Sequence, residues 1–397
     1  MRLRVLIVPD KFKGTLSAGA AAAAISRGWL RARPGDRVAQ LPMSDGGDGF
    51  GRVMSALLRA RRRRVKTVDA AHRSCHADWW LEPKTRTAII ESANVIGLAM
   101  LPRGKFHPFR LDTLGLGAVL RAAWRQGARR TLVGIGGSAT NDGGFGLARA
   151  VGWKFLRADG TQITRWTDLS GLAEVRAPES RGHGKVVVAV DVRNPLLGAR
   201  GATRIYGPQK GLRPRDFAEA EVNLKRLAQL VARARRGLRV PGGPRGPKKS
   251  LHLVPGAGAA GGLGFGLAAF LGAMLQPGFE LFAKRAALWR RLRAADLVIT
   301  GEGAIDRSTA MGKGVGQIAR RCQELGIPCV GLAGVVVRSR EVRRLFTQVH
   351  ALEDVTTPAQ ARARPTLWLQ RLAERTARNW IPSLGLNSNS GPLPSRA

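Results

Sequence analysis

Cysteines and long apolar segments are scarce in this chain. The three cysteines among its 397 residues are an odd number without a CxxC spacing, which argues against a disulfide framework or a zinc site and indicates reduced thiols. No apolar run reaches the roughly 20 residues of a membrane-spanning helix, and the N-terminus lacks the layout of a signal peptide. We therefore expect a cytoplasmic protein.

Acidic residues are also few, because 27 Asp and Glu stand against 66 Lys and Arg, a formal net charge of +39. A polyanionic partner must therefore be weighed. A nucleic-acid-binding protein usually concentrates its charge on one patch or tail, whereas arginine here is spread along most of the chain. We favour a generally basic surface with weak nonspecific attraction to polyanions, and we interpret residues 61–64 and 290–293 as exposed faces of helices.

Glycine is abundant, and short apolar segments alternate with helical stretches rich in Ala, Leu and Arg. The strand candidates are residues 5–8, 38–41, 88–91, 131–135, 186–190, 297–300 and 329–333. This alternation predicts an α/β protein with parallel sheets whose ligands bind at the carboxyl ends of the strands. Because single cores seldom exceed roughly 250 to 300 residues, we expect two lobes.

Two segments are poor in residues that could form a core. Residues 235–250 read RRGLRVPGGPRGPKKS, and residues 382–397 read PSLGLNSNSGPLPSRA. Sequences rich in Pro, Gly and polar groups bury too little apolar area to order themselves. We predict a basic surface loop and a disordered tail, respectively.

The densest glycine segment, GIGGSATNDGG at residues 134–144, follows a strand candidate. Glycine backbone N–H groups can form an anion-binding nest, hydroxyls can donate to phosphate oxygens, and a helix starting near residue 143 would add its positive end. A tight turn with a capping Asp is the alternative. We predict a phosphate site made by Gly136, Gly137, Ser138, Thr140, Asn141 and Asp142.

A second segment, TGEGAIDRSTAMGKG at residues 300–314, combines acids with a lysine. Glu302 and Asp306 suit Mg²⁺, and Lys313 can reach a phosphate as a point charge. The segment is not a Walker A motif, because Arg307 stands where the first glycine should be. The alternative interpretation is that Asp306 caps a helix and that Lys313 is a solvated lysine.

A third segment, GAGAAG at residues 256–261, is weak evidence for a nicotinamide site because it does not lie in the first βα unit.

Acids, lysines and two other polar residues also follow other strand candidates. They are Asp10, Lys11 and Lys13 after the first, Ser44, Asp45 and Asp48 after the second, and Asp191 and Asn194 after the fifth. A carboxylate at such a position can accept a proton from a hydroxyl, hold a metal or cap the next helix, and a lysine can bind a carboxylate or phosphate. Together with the glycine segment, these groups favour phosphoryl transfer.

In this order the segments resemble those of the type I glycerate kinases over about residues 3–381. The resemblance is carried by PDKFKGTLSA at 9–18, MSDGGDG at 43–49, residues 134–144, DVRNPL at 191–196, YGPQKG at 206–211, residues 255–266 and residues 300–313. It implies ATP- and Mg²⁺-dependent phosphorylation of D-glycerate, with 2-phosphoglycerate as the favoured product. The family often reads Asp-x-Gln-Ser where this chain has Asp306-Arg307-Ser308-Thr309, so an amide is missing.

The resemblance also implies a Rossmann-like, flavodoxin-like parallel-sheet domain interrupted by a second α/β domain. We predict the first at residues 1–75 with 285–381, and the inserted domain at residues 76–284. Two other interpretations remain open: a kinase of another small hydroxy acid or sugar, and a non-catalytic polyanion-binding protein on a kinase scaffold.

Our hypothesis assigns a role to each candidate. Lys13 would bind the glycerate carboxylate, Asp191 would orient or deprotonate the attacking hydroxyl, and Lys313 would counter the developing charge. Glu302 and Asp306 would hold Mg²⁺, and ATP phosphates would rest on residues 136–142. Further contacts to glycerate are predicted from Asp10, Ser44, Asp45 and Asn194.

Overall fold

The computed structural model describes residues 2–179, 184–236, 250–312, 314–337 and 339–381. It forms two compact units, which we call unit 1 (Met1–Leu41 with Ala294–Ala397) and unit 2 (Pro42–Arg293). Residues 237–249 of the predicted basic loop, Lys313 and the predicted tail from residue 382 lie outside the described residues.

The strands and helices alternate along the chain. The strands are β1 (Arg4–Pro9), β2 (Arg37–Gln40), β3 (Arg61–Val68), β4 (Ser74–Glu82), β5 (Thr87–Glu91), β6 (Arg130–Gly134), β7 (Lys154–Leu156), β8 (Glu174–Arg176), β9 (Lys185–Val190), β10 (Met274–Pro277), β11 (Leu297–Ile305), β12 (Cys329–Val336) and β13 (Gln348–Ala351). The helices are α1 (Ala18–Ala32), α2 (Phe50–Leu58), α3 (Ala93–Ile96), α4 (Leu114–Arg125), α5 (Phe145–Ala150), α6 (Ala202–Lys210), α7 (Phe217–Arg236), α8 (Ala259–Leu271), α9 (Gly278–Arg285), α10 (Leu288–Arg293), α11 (Arg307–Ala310), α12 (Gly314–Glu324), α13 (Arg340–Leu345), α14 (Pro358–Ala363) and α15 (Pro365–Arg378).

Unit 1 contains a parallel sheet in the order β2-β1-β11-β12-β13. Within the unit this is the order 2-1-3-4-5 of a flavodoxin-like sheet, which confirms the predicted α/β class. The apolar residues of β1 are buried, as expected for a strand covered on both faces. The order reverses between β1 and β11, and ligands of such sheets bind where the carboxyl ends of the strands meet that reversal.

Helices α1 and α15 cross closely beside this sheet. A Cβ atom on Gly28 of α1 would lie 2.1 Å from the carbonyl oxygen of Gln370, so only glycine permits this approach. Asp36, at the start of β2, fixes the other end of α1 by accepting hydrogen bonds from the Trp29 indole at 2.9 Å and the Arg33 guanidinium at 2.8 Å. The helix is thereby held at both its packed face and its C-terminus.

Unit 2 contains a six-stranded sheet in the order β10-β9-β6-β5-β4-β3 and a small β7–β8 hairpin. Strands β5, β6, β9 and β10 are parallel, and β4 pairs antiparallel with both β3 and β5. The carboxyl ends of β5, β6 and β9 therefore meet at one edge, where the loops rich in glycine and acids begin. The apolar side chains between this sheet and α4 form a buried core that includes Trp79, Ile90 and Leu120.

The charged run at residues 61–64 lies in strand β3, so the prediction of a helix face was wrong there. Arg62 and Arg64 contact the carboxylate of Asp78 on β4, at 2.6 and 2.9 Å. Because β3 is the outer strand of its sheet, its arginines also discourage pairing with another edge. Four consecutive arginines carry no hydrophobic period, so charge alone could not distinguish a helix from a strand. Residues 290–293 lie in helix α10, as predicted.

The two units divide the chain at other residues than the predicted domains. Residues 42–75 belong to unit 2, because β3 pairs with β4 from Arg61–Leu81 to Val68–Ser74. A boundary after residue 75 would separate these paired strands.

Among the described residues no helix is both long and apolar enough to cross a membrane, and Cys75, Cys322 and Cys329 are free thiols.

Candidate active site

Two glycine-rich loops lie against each other at the carboxyl edge of the unit 2 sheet. The Gly136 N–H after β6 donates to the Gly46 carbonyl at 3.1 Å, which ties residues 134–144 to residues 43–49. Gly46 has φ +102°, and a Cβ there would lie 2.8 Å from the Ala189 carbonyl oxygen at the end of β9. Asp48 is exposed, and its carboxylate lies against Gly137. An acid therefore stands beside the predicted phosphate loop.

The loop between Ser44 and Gly51 is held by hydrogen bonds to Glu91, a residue that was not predicted to belong to the site. Glu91 ends β5, is buried, and accepts hydrogen bonds from the N–H groups of Gly49 at 2.8 Å and Gly51 at 2.9 Å. The Ser44 hydroxyl accepts from Gly46 N–H at 3.3 Å, and Asp45 Oδ1 accepts from Gly47 N–H at 3.1 Å. Ser44 is buried and Asp45 is half-buried, so of these two predicted substrate contacts Asp45 is the more accessible.

Only the first part of the predicted phosphate loop is accessible. Gly137 is exposed and Gly136 half-buried, whereas the residues from Ser138 to Asp142 are buried. The Ser138 hydroxyl lies 3.0 Å from the Thr140 hydroxyl and accepts from the Thr140 N–H at 3.2 Å. The side chains of Ser138 and Thr140 therefore hold the turn together.

Asp142 is fully buried and serves as an internal hydrogen-bond acceptor. Its carboxylate accepts from the Thr113 N–H at 3.0 Å, the Thr113 hydroxyl at 2.7 Å, the Gly144 N–H at 3.1 Å and the Gly146 N–H at 2.9 Å. Burial and the nearby charge of Asp112 raise the pKa of Asp142 to about 6. These bonds join the loop to the start of α4 and α5, which is the capping role that the sequence left open as an alternative.

Helix α6 anchors the same loop through two side chains that the sequence reasoning did not select. The Lys210 ammonium donates to the Thr140 carbonyl at 2.7 Å, and the Thr203 hydroxyl accepts from the Asn141 amide at 3.1 Å. Lys210 is buried, and this burial lowers its pKa to about 7, against the opposing effect of Asp142. The motif YGPQKG contains Lys210, but nothing in its spacing indicates that the lysine is buried.

Asp191 follows β9 and is exposed, beside the sole tyrosine of the chain. Burial, together with the charge of Asp191, raises the pKa of Tyr206 to about 12. The Tyr206 hydroxyl donates to Asn194 Oδ1 at 2.6 Å, and Asn194 Nδ2 donates to the Arg200 carbonyl at 2.8 Å. Asn194 is thus held by two partners, and Tyr206 is a further site residue that the motifs included without a role.

In unit 1 the loop after β1 packs against β11, at the point where the strand order reverses. The Asp10 N–H donates to the Gly301 carbonyl at 2.8 Å, and Asp10 Oδ1 accepts from the Lys11 N–H at 2.7 Å. A Cβ on Gly303 would lie 3.1 Å from the backbone nitrogen of Lys13, so the absence of a side chain at Gly303 allows this close approach. The Lys13 side chain is exposed. The loop therefore places an exposed cation at the carboxyl edge of the sheet.

Glu302 and Asp306 lie on the same edge and share Thr309. The Thr309 hydroxyl donates to Glu302 Oε1 at 2.7 Å, and Asp306 caps α11 by accepting from the N–H groups of Ser308 at 2.7 Å and Thr309 at 3.3 Å. Within the described part of the chain, no three His, Cys, Asp or Glu side chains form a metal cluster. Magnesium commonly uses one or two carboxylates together with water and substrate phosphates, and Glu302 with Asp306 fits that donor set.

The predicted site residues fall into one group within each unit. Unit 2 brings together residues 44–48 and 136–142, and it places Asp191 at the end of the neighbouring strand β9. Unit 1 brings together the loop carrying Asp10 and Lys13 with the segment carrying Glu302 and Asp306.

Comparison with known proteins gives a consistent result. A sequence model described as the glycerate kinase family matches residues 5–381 of the chain. The chain is 36% identical over 334 residues to a glycerate kinase of Halalkalibacterium halodurans, covering 83% of this chain and 85% of that protein. It is 36% identical over 349 residues to the glycerate 2-kinase of Escherichia coli K12, covering 84% and 85%. With the glycerate kinase of Bacillus subtilis 168 it shares 34% identity over 392 residues, covering 97% and 98%.

A solved structure is similar over nearly the same extent. The crystal structure of a protein described as glycerate kinase 2 from Salmonella typhimurium LT2 matches with a TM-score of 0.78 and 31% sequence identity. The match covers 95% of this chain and 98% of that one.

Proposed function

We propose that this chain uses ATP with Mg²⁺ to phosphorylate D-glycerate to 2-phosphoglycerate, because it belongs to the glycerate kinase family and is a glycerate kinase. The observation that carries this proposal is the family match over residues 5–381, which includes every loop with a candidate acid, lysine or glycine cluster. The product isomer is supported by the Escherichia coli relative, which is named a glycerate 2-kinase.

The accessible end of the glycine-rich loop is suited to bind the ATP phosphates. Gly136 and Gly137 expose backbone without side chains, and Ser138 follows them directly. We assign phosphate contact to Gly136 and Gly137, and we propose that the buried Ser138 supports them through the hydrogen bond it accepts from the Thr140 N–H. Thr140, Asn141 and Asp142 are buried and bonded within the protein, so we assign them the task of holding the loop in place.

Asp191 is suited to act on the attacking hydroxyl. An exposed carboxylate at the end of a parallel strand can accept the hydroxyl proton while the hydroxyl oxygen attacks the γ-phosphorus and the bond from that phosphorus to the bridging oxygen of ADP breaks. Tyr206 and Asn194 form a hydrogen-bonded pair beside it. We propose that Asn194 and Asp45 add contacts to glycerate, and that the buried Ser44 supports the loop carrying Asp45.

Unit 1 supplies cations and carboxylates. We propose that Lys13 binds the glycerate carboxylate, with Asp10 ordering its loop through the Lys11 N–H. Glu302 and Asp306 would hold Mg²⁺, which neutralises charge on the phosphate oxygens when it is bound. Lys313 comes directly after Gly312 in the sequence, and its proposed role is to counter charge on the transferred phosphoryl group.

The decisive experiment is an ADP-release assay with purified protein, Mg-ATP and a panel of hydroxy acids and sugars, with the product isomer identified by NMR. We expect turnover with D-glycerate and formation of 2-phosphoglycerate. Efficient turnover of another acid or sugar with no activity on D-glycerate would contradict the proposal.

The role of Asp191 is tested by Asp191→Asn in the same assay. Loss of the proton acceptor should lower kcat at least roughly 10²-fold, the scale typical of a removed acid-base group. Asp159→Asn is the matched control, because Asp159 is an exposed carboxylate in the turn between β7 and β8 that accepts from Thr161. The control should retain activity within about twofold. An Asp191→Asn protein with near-normal kcat would remove Asp191 from the mechanism.

A further inference from the structure

Unit 2 contains a cavity of about 360 Å³ that is separate from the loops considered so far. Its lining includes His72, Arg110, Asp112, Thr164, Arg165 and Trp166. The residues come from the turn between β3 and β4, from the short helical turn Pro108–Arg110 with the segment after it, and from the start of the turn Trp166–Gly171. No role was predicted for any of them.

The walls of this cavity are rich in hydrogen-bond donors. Arg110 and Arg165 are exposed guanidinium groups, which bind carboxylates and phosphates with a planar set of N–H groups. Trp166 is 2% exposed, and its buried indole N–H has no acceptor within the part of the chain that the structure describes. Trp166 therefore contributes a packed apolar wall to the cavity.

The acid in the lining is already hydrogen-bonded within the protein. Asp112 Oδ2 lies 3.0 Å from His72 Nε2, and Asp112 Oδ1 accepts from the Leu114 N–H at 2.9 Å. The hydrogen bond to Asp112 raises the pKa of His72, against the effects of burial and of Arg149, while Asp69 adds to it. With this acid engaged, the remaining polar groups favour a negatively charged occupant.

His72 is also held in an uncommon backbone conformation. Its φ of +61° lies in the left-handed region, which side-chain-bearing residues rarely adopt although histidine is among the more tolerant. The His72 N–H donates to the Asp69 carbonyl at 3.0 Å, and Asp112 fixes the ring. The imidazole is therefore positioned before any ligand binds.

We propose that this cavity binds a small oxyanion, the phosphate or carboxylate group of a small molecule, through Arg110, Arg165 and His72. The volume suffices for a small organic anion, and the donors come from three separate segments of unit 2. The site is independent of the proposed roles in phosphoryl transfer.

Isothermal titration calorimetry at constant ionic strength tests the proposal, with inorganic phosphate and citrate as separate probes. We expect saturable binding of at least one probe to the wild-type protein, and about tenfold or greater loss of affinity in the double variant Arg110→Ala/Arg165→Ala, as expected for lost hydrogen bonds to charged groups. Tighter binding of phosphate would identify a phosphorylated ligand, and tighter binding of citrate a carboxylate.

The matched control is Arg61→Ala/Arg63→Ala, which removes the same charge from the exposed strand β3. It should bind the probes within about twofold of the wild type. The proposal is wrong if neither probe binds saturably, if both double variants lose affinity equally, or if Arg110→Ala/Arg165→Ala binds like the wild type. The last result would assign the anion to another site, such as the glycine-rich loop.

Discussion

At the scale of single residues, the glycine-rich loop of unit 2 rests on two buried ionisable groups. Lys210 bonds to the carbonyl of Thr140, and Asp142 accepts four hydrogen bonds two residues further along the chain. Burial moves the pKa of Lys210 down to about 7 and that of Asp142 up to about 6. Each group is therefore close to losing its charge near neutral pH, which is unusual for structural residues and typical of functional sites.

The lowered pKa of Lys210 predicts a pH dependence of stability. Between about pH 7 and the usual lysine value of 10.5, the unfolded chain holds a proton at this residue that the folded chain has lost. Stability rises with pH where the unfolded state binds more protons, so this contribution should increase from pH 7 to pH 9. In Lys210→Met that rise, amounting to at most a few kcal/mol, should be missing.

The measurement is the thermal midpoint of wild type and Lys210→Met at intervals from pH 7 to pH 9, compared as a difference between the two proteins. Lys154→Met serves as the control, because Lys154 on β7 is exposed. Its difference from the wild type should not change with pH. Parallel curves for wild type and Lys210→Met would show that Lys210 keeps an ordinary proton affinity in the folded protein.

At the scale of helices and strands, close contacts decide where glycine is required. Gly19 and Gly28 both lie in α1 with ordinary helical backbone, yet they differ in their surroundings. A Cβ on Gly28 would lie 2.1 Å from the Gln370 carbonyl oxygen and 2.9 Å from the Ala373 side chain, both on α15. A Cβ on Gly19 would meet nothing within 4 Å. The sequence shows two helical glycines, and the packing separates their roles.

Substituting alanine at these two positions should have opposite effects. Gly19→Ala should stabilise unit 1 by about 0.5–1 kcal/mol, because alanine loses less conformational entropy in a helix. Gly28→Ala should destabilise it by about 1–3 kcal/mol, because α1 and α15 must move apart to admit the methyl group. Urea unfolding followed by far-UV circular dichroism measures both changes. Equal stabilisation by the two alanines would mean that the helices do not cross as closely as described.

Helix α6 supports the glycine-rich loop through hydrogen bonds made by two of its side chains. Its two anchoring residues, Thr203 and Lys210, are seven residues apart, which is two helical turns and so places both side chains on one face. That face contacts Asn141 and Thr140 of the loop. The loop is thereby supported by a regular element, which fixes a binding site more firmly than another loop would.

At the scale of the whole molecule, the formal charge of +39 predicts weak binding to any polyanion. Such binding depends on released counterions, so we expect its dissociation constant to rise at least about tenfold between 50 and 200 mM salt. Fluorescence anisotropy with a short single-stranded DNA measures this dissociation constant, and a second DNA of the same composition in scrambled order should bind equally. Tight binding that persists at 200 mM salt, with a preference for one sequence, would instead support a dedicated nucleic-acid site.

Much of the fold followed from the sequence because the strands of a parallel sheet are short apolar runs. The predicted segments correspond to β1, β2, β5, β6, β9, β11 and β12, and the helix predicted near residue 143 is α5. Six strands were not predicted, namely β3, β4, β7, β8, β10 and β13. Three of them lie at sheet edges, where β3 carries four arginines and β10 and β13 have only four residues each. Sheet edges lack the hydrophobic pattern that buried strands require.

The sequence by itself determined the α/β class, the family and the loops that carry acids, lysines and glycines. Only the tertiary structure decided that Glu91, Thr203 and Lys210 hold those loops from within, and that Asp142 is buried while Gly137 is exposed. The physical reason is that the chemistry of a residue type and its spacing along a strand or helix are local properties. Burial, which shifts a pKa or removes a side chain from contact with a ligand, depends on residues that are distant in the chain.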